Sequence, residues 1–189
     1  IAACAVAFCM ETNILLGVPL NSISFYCFVF GATLVQYNLH YLVKTAAVKN
    51  SERLAWSATN RHSHLLLLVL GVALIGFSFF SFHLRHFGIL LLLGCIALLY
   101  SFPLLPFPKR KRIKDYGLYK IITLALLWTL VTVWFPVNSA SFDSTLFLLV
   151  FIKRFLFMFV LCLLFDVRDI EIDGSQKIRT LAVILGKKR

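Results

Sequence analysis

The sequence predicts an all-α, polytopic transmembrane helical bundle, and three observations support that prediction. First, 60% of the 189 residues are hydrophobic, which is more apolar surface than a soluble domain of this size can bury. Second, the apolar residues fall into six runs, each long enough for a membrane-spanning helix. Third, most basic residues collect between these runs and not within them.

Six candidate spans follow one another along the chain. A transmembrane helix needs about 20 mostly apolar residues. Runs of that kind cover residues 1–19, 22–43, 64–83, 87–105, 117–137 and 145–165. The first run carries Glu11. Pro103, Pro106 and Pro108 end the fourth run and Pro136 ends the fifth, because proline cannot continue a regular helix.

The distribution of charge predicts how the spans are oriented. If the six spans are correct, 16 of the 19 Lys and Arg residues fall on one side of the membrane, in the stretches 44–63, 106–120 and 166–189. The opposite side has only Arg85, and Lys153 and Arg154 remain inside the sixth run. Because basic loops face the cytoplasm, we expect an inner (cytoplasmic) membrane protein with residues 166–173 on the cytoplasmic side.

The net charge and the cysteines exclude two other classes. The net charge is +11, but the basic residues lie between apolar runs and do not form the basic face of a nucleic-acid-binding protein. The five cysteines lie in or beside apolar runs without a CxxC pair, so neither a disulfide framework nor a zinc site is indicated. We expect the lipid bilayer and no nucleic acid as a partner.

An acidic cluster follows the sixth run. Asp166, Asp169 and Asp173 are spaced i, i+3 and i+7, which on a helix places them within an arc of about 60°. Ionised acids beside hydrocarbon are costly. Such a cluster suits Mg²⁺, whose shell in proteins usually includes substrate phosphates. The alternative is a solvated helix end whose charge is balanced by neighbouring basic residues.

The last part of the chain resembles a known motif. Residues 166–173 are followed by 177–183, which read Lys-Ile-Arg-Thr-Leu-Ala-Val, and by Gly186. This order is similar to the second aspartate-rich motif of the UbiA superfamily of membrane prenyltransferases, closest to the branch that prenylates dihydroxynaphthoate in menaquinone synthesis. Residues 100–103, Tyr-Ser-Phe-Pro, also resemble that family, and its second motif likewise follows helix six.

The resemblance implies one integral-membrane domain over residues 1–189, with six spans of an expected nine and truncation at both ends. It implies Mg²⁺-dependent transfer of an isoprenoid from a prenyl diphosphate to an aromatic or other lipophilic acceptor, as in quinone biosynthesis. The resemblance gives the metal-binding and catalytic roles to Asp166, Asp169 and Asp173. It gives the binding of the substrate diphosphate to Asn38, Arg168, Lys177 and Arg179.

The first aspartate-rich motif of that family is degenerate in this chain. Asn38 stands in its leading position, but Leu39, Leu42 and Ala46 fill the positions that are acidic in the family. Half of the expected metal cage is therefore missing. Two readings remain: a divergent transferase with one-sided metal binding, or an inactive UbiA-like protein that binds a lipid or quinone or assists a partner. His40 and Lys44 could donate directly to the phosphate, or Asn38 and His40 could instead pair with neighbouring polar groups at the helix end.

Three basic features leave alternatives open. Lys153 and Arg154 lie about 18 Å along the sixth helix from Asp166, so they either pair or line a wet cavity, or the span is shifted and both snorkel. Lys120 either contacts a phosphate or snorkels to the lipid head groups. The basic run 109–114 either fixes topology and contacts anionic lipid or draws a diphosphate to this face.

Overall fold

The computed structural model describes residues 1–44, 59–79, 84–101, 117–137 and 142–168. Within these residues every regular element is helical, which confirms the all-α prediction. The elements, in chain order, are α1 (Ala2–Leu15), α2 (Ile23–Lys44), α3 (Arg61–Phe79), α4 (Leu84–Ser101), α5 (Gly117–Thr129), a π-helical segment (Leu130–Trp134), α6 (Phe135–Val137) and α7 (Ser144–Arg168).

Three helices among the described residues are long and apolar enough to cross a membrane, and they mark the chain as a membrane protein. These are Arg61–Phe79, Leu118–Val137 and Ser144–Val167. Ala2–Leu15 and Ile23–Leu39 are shorter apolar helices. The three long spans match the third, fifth and sixth runs of the sequence. The total of six spans out of nine stays a prediction, as do the inner membrane and the side that the acidic motif faces.

The chain divides into two compact units. One comprises Ile1–Ile14 and Pro19–His83, and the other comprises Leu15–Val18 and Leu84–Arg189. The expectation of a single integral-membrane domain over residues 1–189 stays a prediction.

In the first unit, α2 and α3 approach so closely that two glycines meet. A Cβ atom on Gly31 would lie 2.7 Å from the carbonyl oxygen of Gly71, and one on Gly71 would lie 2.8 Å from the carbonyl oxygen of Gly31. Small residues let membrane helices pack backbone to backbone, because lipid supplies no hydrophobic drive for association. The α2–α3 interface therefore depends on the absence of a side chain at both positions.

The buried face of α3 is small and polar, and its exposed face is apolar. His64, Gly71 and Ser78 are its buried residues and recur every seven positions, or about two helical turns. Its large exposed hydrophobic residues are Leu65, Leu66, Leu67, Val69, Leu70, Val72, Phe77 and Phe79. This pattern suits a helix whose outer surface is covered by lipid and whose inner surface packs through small and hydrogen-bonding groups.

Polar side chains link the end of α1 to the start of α2 among residues of the first unit. The Asn13 amide donates to the carbonyl oxygen of Pro19 at 2.7 Å, and its own oxygen accepts from the Asn21 amide at 3.1 Å. The Asn21 backbone N–H donates to the Tyr26 hydroxyl at 3.1 Å. These bonds satisfy Asn13, which is buried, as burial of an amide requires.

In the second unit, the helix that begins with α5 continues through Pro136 with a change in its hydrogen bonding. Proline lacks an N–H and clashes with the carbonyl four residues before it. The π segment Leu130–Trp134 accommodates it, and the Phe135 N–H bonds to the carbonyl of Leu130, five residues back. The helix thus reaches Val137, the predicted end of the fifth span.

The start of α7 has a complete N-terminal cap. The Asp143 carboxylate accepts from the N–H groups of Thr145 at 2.7 Å and Leu146 at 3.1 Å. Phe142, just before the cap, stacks on Phe147 with ring centroids 4.7 Å apart. This arrangement is a hydrophobic staple, which fixes the direction in which the chain enters the helix.

Candidate functional site

One face of α7 is buried at every fourth residue. We call this set the α7 stripe: Val150, Arg154, Met158, Cys162 and Asp166. Residues four apart lie on one side of a helix. The stripe therefore turns two charged side chains inward along with three apolar ones.

The helices α5 and α7 lie antiparallel. Lys120 in the first turn of α5 contacts Asp166 in the last turn of α7. At the opposite end, Val133 and Val137 form a buried cluster with Val150 near the start of α7. The two contacts fix the register between the helices and place the Lys120–Asp166 pair where α5 begins and α7 ends.

Lys120 and Asp166 form a partly buried ion pair. The Lys120 Nζ atom donates to Asp166 Oδ1 at 2.8 Å, and the two side chains are 22% and 5% exposed, respectively. Removing a carboxylate from water is costly unless an opposite charge or hydrogen-bond donor compensates. Lys120 supplies that compensation to the inward-facing Asp166 side chain.

Sequence reasoning missed this pairing, because for Lys120 it considered only a phosphate or the lipid head groups. The sequence nevertheless contained a feature that could have predicted the pair. A base near the start of the fifth span and an acid at the end of the sixth fall on the same side of the membrane if consecutive spans are antiparallel. The register between the helices, which the sequence does not specify, brings the two side chains together.

The other predicted residues of the acidic motif lie at or beyond the end of the described chain. Arg168 is the last residue of α7, and its side chain is not described. The remaining residues of the motif lie outside the described residues: Asp169, Asp173, Lys177 and Arg179. The expected arc of three acids on one helical face is therefore tested only at Asp166, which is buried.

The described residues hold no complete set of protein ligands for a metal ion. Among them no group of three or more His, Cys, Asp or Glu side chains could hold a metal ion. Asp166 fits the first position of an Mg²⁺ site by its chemistry, because a carboxylate oxygen is the hard ligand that this ion prefers. The other two predicted metal ligands, Asp169 and Asp173, lie outside the described residues.

Asn38 of α2 forms hydrogen bonds through both ends of its amide. Its Nδ2 atom donates to the carbonyl oxygen of Leu34 at 2.8 Å, and its Oδ1 atom lies 2.8 Å from Nδ1 of His64 on α3. Because the nitrogen is committed to a carbonyl, the oxygen must accept, and His64 Nδ1 must donate. The neutral imidazole is thereby assigned as the Nδ1–H tautomer, with a lone pair on Nε2.

This geometry bears on the two roles considered for Asn38. The sequence left two roles open for the Asn38 side chain: it could donate a hydrogen bond to the substrate diphosphate, or it could pair with neighbouring polar groups. The bonds to Leu34 and His64 are of the second kind. The sequence analysis did not name the partner, which is His64, and the side chain of His40 is not described. The diphosphate role of Asn38 stays a prediction.

Arg154 and Lys153 point to different environments. Arg154 is 3% exposed on the α7 stripe, whereas Lys153 is exposed. The helix bounds Ser144–Arg168 agree with the predicted sixth span, so the alternative of a shifted span with both residues snorkelling is wrong for Arg154. The antiparallel register places Arg154 level with the π segment Leu130–Trp134.

Comparisons of this chain with known protein families, curated proteins and solved structures found no match. Membership of the UbiA superfamily therefore stays a prediction that depends on residues 100–103 and 166–186 and on the order of the spans. The structure adds one local fact to it: the first acid of the motif is turned inward and held by a base from the neighbouring helix.

Proposed function

We propose that this chain is a membrane prenyltransferase of UbiA type, which transfers an isoprenoid from its diphosphate to an aromatic or lipid acceptor and depends on Mg²⁺. One observation supports this most: the Asp166 carboxylate is 5% exposed at the end of a candidate membrane span, 2.8 Å from Lys120. An ionisable pair in such a place is costly and is usually functional. A motif of acids and bases continues from Asp166.

The residues of the motif divide into two roles in this proposal. Mg²⁺, when bound, would neutralise charge that develops on the departing diphosphate. The metal would be held by Asp166, Asp169 and Asp173. The phosphate oxygens would be contacted by three basic side chains, those of Arg168, Lys177 and Arg179. The apolar walls of a membrane bundle would keep water from the reacting carbon until the acceptor reaches it.

The cellular setting follows from the charge distribution. The three basic stretches would face the cytoplasm. The diphosphate group of the substrate would face water on that side, and its isoprenoid tail would lie in the bilayer. The protein would then be an integral protein of the inner membrane, with the acidic motif at its cytoplasmic surface. Both substrates would reach the site from the bilayer or its interface.

The second candidate function is a non-catalytic member of the same family that binds a lipid or quinone or assists a partner. It is favoured by α2, where Asn38 is occupied by hydrogen bonds within the protein and Leu39 and Leu42 replace acids. A site with metal ligands on one side only would hold fewer ions. The two candidates differ in whether the chain turns over prenyl diphosphate.

Substitution at Asp166 tests the transferase directly. In nanodiscs supplied with Mg²⁺, a labelled prenyl diphosphate and aromatic acceptors, we expect Asp166→Asn to lower product formation by at least about 100-fold, the scale for loss of an essential charge-stabilising group. Asp143→Asn is the matched control on the same helix, because asparagine caps a helix as well as aspartate does. Equal product from both variants would contradict the assignment, and no product from the wild type with any acceptor would favour the non-catalytic candidate.

A further inference from the structure

We draw no further inference here: the strongest candidate, the row of half-buried phenylalanine side chains on one face of α7 at Phe147, Phe151, Phe155 and Phe159, is an apolar helix face, and nothing in the described residues shows what covers its exposed edge.

Discussion

Asn38 on α2 and His64 on α3 are joined by a hydrogen bond of 2.8 Å between Oδ1 and Nδ1. Asn38 lies seven residues after Gly31, and His64 lies seven residues before Gly71. The hydrogen bond and the glycine contact are therefore about two helical turns apart on one antiparallel interface. We call these four residues the α2–α3 seam. It combines close backbone approach with a buried hydrogen bond, both of which contribute to the association of membrane helices.

The contact between Gly31 and Gly71 predicts that one added methyl group will lower the free energy of unfolding substantially. Gly71→Ala places a Cβ 2.8 Å from the carbonyl oxygen of Gly31, and a backbone atom cannot move aside as a flexible side chain can. We expect the free energy of unfolding to fall by about 1–3 kcal/mol. Unfolding in mixed detergent micelles, followed by circular dichroism, measures it.

The control for that change lies on the same helix. A Cβ at Gly76 meets nothing within 4 Å, so Gly76→Ala should be neutral or stabilise by up to about 1 kcal/mol, the helix propensity of alanine over glycine. If Gly71→Ala and Gly76→Ala unfold alike, the close approach of α2 and α3 is wrong.

The hydrogen bond of the seam predicts a positive coupling between its two residues. Both side chains are buried, so loss of either leaves its partner's polar atom in an apolar setting. In a double-mutant cycle of Asn38→Ala and His64→Ala, we expect a coupling free energy of about 0.5–1.5 kcal/mol, within the range for membrane proteins. Strict additivity of the two single changes would mean that the bond does not form.

The same bond predicts the tautomer of His64. Because Asn38 Nδ2 donates to Leu34, Asn38 Oδ1 must accept, and the proton of the neutral imidazole must be on Nδ1. Nitrogen-15 NMR of histidine-labelled protein at alkaline pH distinguishes the two tautomers. A shift typical of a protonated Nε2 at His64 would contradict the assignment, and His62, which is exposed in the same turn, provides an internal reference.

The N-terminal cap of α7 lies at the opposite end of that helix from Asp166, and its loss should lower the stability of the protein moderately. Asp143 accepts two backbone N–H bonds, which alanine cannot replace. Asp143→Ala should lower the free energy of unfolding by about 1 kcal/mol, and Asp143→Asn should change it by only a few tenths. An equal loss in both variants would show that the negative charge, and not the hydrogen bonds, supports the helix.

Hydropathy predicted the helices well, because it measures the cost of placing a residue in lipid, which is local information. The bounds Ser144–Arg168 and the end at Val137 lie close to those read from the sequence. The inward direction of Asp166 was also implied by its place in an acidic motif. These features depend on one segment at a time.

Pairings between helices were beyond sequence reasoning. Lys120 meets Asp166 across 46 residues, and His64 meets Asn38 across 26. Each pair requires a specific register between two antiparallel helices, and a shift by one residue would rotate a side chain by about 100°. The register is set by packing such as the glycine contact of the seam, which composition and periodicity do not reveal.

The most direct measurement for the proposed function is binding of a labelled prenyl diphosphate to the wild-type chain in nanodiscs, with and without Mg²⁺. The account predicts binding that requires Mg²⁺, is abolished by a chelator and is lost in Asp166→Asn but kept in Asp143→Asn. Binding of equal strength with and without the metal, or its retention in Asp166→Asn, would contradict the claim that this buried carboxylate holds a divalent cation against a diphosphate.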